Sequence, residues 1–114
     1  MKSVKLKVYK ENMGGRDTFL TSWDLLVSAV KNTNPQQGGI SVDEMVKRMR
    51  LLKELDKHKP MFDIQPEDFK DSCLELEADL ELEDSDYTKL KDLFKEMKWG
   101  VVSSSIVEIS ESLK

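Results

Sequence analysis

The chain has 114 residues and a formal net charge of −4, from 18 Lys/Arg against 22 Asp/Glu. That length suits a single domain spanning 1–114, and no apolar run approaches the ~18 residues of a membrane span. One Cys and one His exclude an internal disulfide and a zinc site, so no cofactor is expected and a reducing cytosol is the natural home.

The small net charge hides a strong segregation. Residues 1–62 carry 12 Lys/Arg against 7 Asp/Glu, whereas 63–86 carry 11 acids and only Lys70. Such asymmetry implies intramolecular complementarity or an oriented electrostatic face. The N-terminus has lysines but no apolar h-region, so no secretory signal is expected.

Val4, Leu6 and Val8 alternate with Lys5 and Lys7, the period of two that marks a strand over about 3–9. Gly14-Gly15 reads as a turn. Phe19, Trp23, Leu26 and Val30 then recur at helical spacing, predicting a helix over about 19–32. The segment 32–39, Asn-Thr-Asn-Pro-Gln-Gln-Gly-Gly, is a loop by composition.

Ser41 and Glu44 form a capping box for the next helix, with Ile40 and Met45 as a hydrophobic staple. Val42, Met45, Val46, Met49, Leu52 and Leu55 are its expected buried face, and the helix ends before Pro60. Gln65 to Phe69 suits a short helical turn with Pro near its start.

Residues 74–83 read Leu-Glu-Leu-Glu-Ala-Asp-Leu-Glu-Leu-Glu. Leu, Glu and Ala favour helix, but a helix would scatter these leucines around its axis. Period outweighs propensity, and a strand or hairpin over about 73–83 is expected. Its acids complement Lys5 and Lys7, so the two strands should pair, with those lysines against two of Glu75, Glu77 and Asp79. Ser85 then caps a helix to about Met97, carrying Tyr87, Leu90, Leu93, Phe94 and Met97 on its apolar face. Ser105 and Glu108 make a second capping box for a terminal helix. The fold class is α+β: a small antiparallel sheet against three or four helices.

Chemical signatures are missing. Asp84-Ser85-Asp86 opens like a calcium loop, but Lys89 stands at the sixth position and Lys95 at the twelfth. His58, Cys73 and the serines 103–105 lack the partners of a nucleophile, and Gly38-Gly39 lacks the rest of a phosphate loop. An enzyme is not expected. Lys47, Arg48, Arg50 and Lys53 form a basic group able to meet an acidic partner or, alternatively, a nucleic-acid backbone, as in a small transcription regulator. A pI near 5.1 speaks against the second. Glu81, Glu83, Asp84 and Asp86 lie beyond the reach of Lys5 and Lys7 and are the candidate acidic contacts. Tyr87 and Trp99 are candidate interface anchors.

The succession Ile40-Ser-Val-Asp-Glu-Met-Val-Lys-Arg-Met-Arg-Leu-Leu, Leu80-Glu-Leu-Glu-Asp-Ser-Asp-Tyr-Thr-Lys-Leu-Lys, Lys98-Trp99 and Ile106-Val-Glu-Ile109 resembles short accessory proteins of tailed phages and prophages. The resemblance spans roughly residues 20–110 and rests on caps and core spacings. It implies a non-enzymatic protein of virion assembly, or one binding a host or phage factor in the host cytoplasm. The expected partner is therefore a protein, either another chain or a second copy.

Overall fold

A computed structural model describes residues 1–32 and 39–113. The predicted loop over 32–39 lies mostly outside the described residues. Element order is β1 (Lys2–Met13), β2 (Arg16–Thr21), α1 (Ser22–Lys31), α2 (Val42–Asp56), α3 (Lys59–Phe62), β3 (Glu77–Leu82), α4 (Asp84–Glu96) and α5 (Ser104–Ser112), with 3-10 turns at Pro66–Asp68 and Asp71–Glu75. The architecture is α+β, with a three-stranded antiparallel sheet in the order β2-β1-β3.

β1 is longer than expected because its two halves serve different neighbours. Its first half pairs with β3, matching Val4 with Leu80, Lys5 with Asp79 and Lys7 with Glu77. The apolar partners thus share one face, the opposite charges share the other, and Lys5 Nζ forms an ion pair with Glu77. This is the charge-matched pairing read from the two alternating segments. Beyond Lys7 the strand pairs with β2, from Val8 opposite Thr21 to Met13 opposite Arg16. Gly14 and Gly15 close that hairpin at φ 61° and 85°, values that a side chain disfavours. Residues 19–21 consequently finish a strand, and the first helix starts at Ser22, with Thr21 Oγ1 accepting the Asp24 N–H at 3.0 Å.

The expected strand over 73–83 is shortened to Glu77–Leu82. Residues 71–75 instead make i+3 hydrogen bonds, with the Cys73 N–H donating to Lys70 O at 2.9 Å, and Lys10 Nζ holds Asp71 at 2.9 Å. Since β2 lies on the opposite edge of β1, it is this turn, tied to β1 through Asp71, that takes the place of a longer β3. Cys73 is buried in this turn and does not start the strand.

The core gathers Val4, Leu6, Val8, Leu80 and Leu82 under Leu26, Val30, Leu51, Leu55, Leu90 and Phe94. Each fully buried aliphatic side chain contributes about 1.5–3 kcal/mol. α1 and α2 also cap one another. Trp23 Nε1 donates to Leu55 O at 2.7 Å near the end of α2, and Arg48 Nη1 donates to Val30 O at 3.2 Å and to Asn32 O at the end of α1. These bonds satisfy carbonyls that a helix end leaves without intrahelical donors.

The terminal helix begins earlier than its predicted box. Ser103 is the N-cap and accepts the Ile106 N–H at 3.3 Å. Its hydroxyl also donates to Glu11 Oε2 at 2.6 Å, while Ser104 N–H donates to Oε1 at 2.8 Å. A carboxylate from β1 thus takes the place that Glu108 was expected to fill. Those serine bonds hold the Glu11 carboxyl down at about 2.

Candidate functional site

The largest departure from expectation lies on α2. Ser41 caps the helix as predicted, its Oγ accepting the Glu44 N–H at 3.1 Å. Its expected buried face, however, mostly points to solvent: Val42 is 73% exposed, Met45 47%, Val46 53% and Met49 62%. Only Leu55 of the expected set is fully buried, joined by Leu51, while Leu52 is half-buried.

At 100° per residue, α2 carries two separate apolar sectors. Leu51 and Leu55 lie on one side with Glu44 and Arg48, and this side meets the core. Glu44 Oε1 accepts from Arg48 Nε at 3.1 Å and from Lys89. The ammonium of Lys89, and then Arg48, hold the Glu44 carboxyl below its ordinary range. An ion-paired polar seam thus supports the buried side, whereas the wider apolar sector has no cover among the described residues. With Arg50, Leu52, Lys53 and Asp56 it lines an open groove of about 610 Å³. An apolar helical stripe over a third of the circumference is the pattern of a face meant for burial, and exposed patches of this kind mark interaction sites.

The basic candidates do not form one face. Arg48 is spent on Glu44 and the end of α1, and Arg50 Nη2 pairs with Asp86 at 3.0 Å. Lys47 and Lys53 are exposed, and no ion pair forms with either among the described residues. Lys53 belongs to the groove; Lys47 projects well away from it.

Local roles also absorb much of the acidic candidate group. Glu83 is the N-cap of α4, and Asp84 and Asp86 stand in its first turn, where negative charge is favoured by the helix dipole. Asp84 lies 3.7 Å from the N-terminal amine. Glu81 remains exposed on β3 opposite Ser3. Of the expected anchors, Tyr87 is buried at 6%, with Lys2 Nζ 5.1 Å from its ring centre. It is a core residue because its position on α4 faces the sheet. Trp99 is half-buried and packs on Phe94, with ring centres 5.1 Å apart.

A second recess, of about 190 Å³, is lined by Phe19, Trp23, Phe62 and Phe69 with Asp24 and Asp63 at its polar part. Phe19 and Phe69 stack at 5.3 Å. It is smaller than the ~300 Å³ at which ligand pockets begin. Among the described residues, no group of three His, Cys, Asp or Glu side chains is placed to hold a metal ion. No helix among them is long and apolar enough to cross a membrane. In comparisons with known proteins, the chain matches no family model, no curated sequence and no solved structure.

Proposed function

We propose that this chain is a non-enzymatic protein-interaction module whose contact surface is the outer face of α2. The observation that carries the reading is the exposure of Val42, Met45, Val46 and Met49 on one stripe of a well-capped helix. Leaving such side chains in water forgoes about 25 cal/mol per Å² of apolar surface, which a partner's apolar surface recovers. Methionine suits the role because its unbranched chain adapts to the opposing surface. The resemblance to phage accessory proteins agrees with an assembly or factor-binding role and adds no residue to it.

A photoreactive benzoylphenylalanine tests the reading when placed at position 46 on the stripe or at position 47 on the opposite flank. In cells expressing the full chain, position 46 should give a covalent protein adduct and position 47 none. Adducts of equal yield at both positions, or none at either, would refute the assignment.

A further inference from the structure

The free edge of the sheet can be assigned residue by residue. Gly14 and Gly15 form a two-residue hairpin turn, which makes Met13 and Arg16 the hydrogen-bonded pair that closes it. Odd residues of β1 therefore aim their N–H and C=O groups towards β2, and even residues towards β3. Lys7 follows this rule. Ser22 Oγ, at the end of β2, accepts its N–H at 2.8 Å and donates to its carbonyl at 3.3 Å. Val4 and Leu6 accordingly bond to Leu80 and Ala78. The N–H and C=O groups of Glu77, Asp79 and Glu81 then face away from β1, on the strand that ends the sheet. None of them has a hydrogen-bond partner among the described residues.

Charge along this edge is one-sided. On the solvent face, Lys5 and Lys7 stand opposite Asp79 and Glu77, so base gives way to acid from β1 to β3. Lys5 pairs with Glu77, whereas Asp79 and Glu81 are exposed and have no ion pair among the described residues.

We propose that the outer edge of β3 accepts an antiparallel strand from a partner protein, with Lys or Arg at alternate positions opposite Glu77, Asp79 and Glu81. Strand addition supplies the missing donors and acceptors, and the period of two sets the basic spacing. A basic strand continues the alternation of sign across the sheet, and opposite charges on facing strand positions stabilise the pair. The same acids exclude an acidic strand, and two copies joined through β3 would set acid against acid. This surface is distinct from the α2 stripe and rests on none of its observations.

The probe is a fluorescein-labelled peptide, Thr-Lys-Val-Lys-Val-Lys-Thr, with both ends blocked, and the readout is anisotropy on titration with the full chain. It should bind, and its Glu-for-Lys counterpart should not. In an antiparallel pair the residues facing Glu77, Asp79 and Glu81 are the ones that exchange hydrogen bonds with them. N-methylation of the three lysines should therefore abolish binding, and N-methylation of the two valines should leave it. Asp79→Asn with Glu81→Gln, folded by circular dichroism, should weaken binding about tenfold. Binding that survives N-methyllysine would mean attraction by charge alone and overturn the proposal. So would equal binding of the Glu peptide, or no binding of the Lys peptide. A chain that dimerises in sedimentation equilibrium, and loses the dimer with Asp79→Asn and Glu81→Gln, would also overturn it by placing a second copy on this edge. None of these results bears on the position-46 photoadduct, which tests α2 separately.

Discussion

Two residues of α2 separate its structural side from its exposed side, and truncating each in turn measures the difference. Leu51 is 1% exposed inside the core, whereas Met49, two positions earlier, is 62% exposed. Leu51→Ala removes a buried isobutyl group and leaves a cavity, at a cost of about 2–5 kcal/mol. For a domain of this size, a 3 kcal/mol loss lowers Tm by roughly 10–15 °C. Met49→Ala removes contacts with water, and alanine is the better helix former, so its effect stays within about 0.5 kcal/mol. Urea unfolding of both variants, at a dilution where the chain is monomeric, compares them directly. Equal losses, or a larger loss for Met49→Ala, would show that the wide sector of α2 is packed and would remove the basis of the interaction face.

Arg48→Met keeps the aliphatic stem but removes the donors to Val30 O, Asn32 O and Glu44. It should cost about 1.5–3 kcal/mol in the same urea assay, and a loss below about 0.5 kcal/mol would show the α1–α2 cap to be dispensable. Glu11 is governed by protons: its folded carboxyl is held at about 2 against an ordinary 4.5. Because the folded value is the lower one, its contribution is complete above about pH 4.5 and is lost as pH falls towards 2. Glu11→Gln should therefore lower Tm at neutral pH, and its melting curve should approach the wild-type curve on acidification between those values. A gap that persists unchanged down to pH 2 would place the effect elsewhere.

The pairing of β1 with β3 was legible because two independent signals agreed on it, whereas β2 was not, its Phe19 falling into the spacing of the following helix. Alternation placed Val4, Leu6, Leu80 and Leu82 on one face, and the opposite charges of Lys5, Lys7, Glu77 and Asp79 selected the same pairing. Gly14-Gly15 was legible for a local reason, since both positions need positive φ. The start of α5 was not. Ser103 prevails over Ser105 as cap through a carboxylate 92 residues earlier, and no local pattern reports such a contact. The shortening of β3 has a similar long-range origin, in the Lys10–Asp71 ion pair that ties the turn over residues 71–75 to β1.

The misreading of α2 has a different cause. A periodic reading assigns burial to the widest apolar sector, which here comprises Val42, Met45, Val46, Met49 and Leu52. The fold instead packs the narrower side, where Leu51 and Leu55 flank the paired Glu44 and Arg48. That side is held by directional bonds to the end of α1 and to Lys89, which a hydrophobic count does not register. An amphipathic helix serving only its own core needs one apolar sector. This helix carries two, and the second is wider than the first, so the composition of α2 exceeds what its own fold demands. The excess is confined to outward positions and sits on a helix firmly capped at Ser41. It is thus a preformed surface, and a partner docking there need not bear the entropy of ordering it.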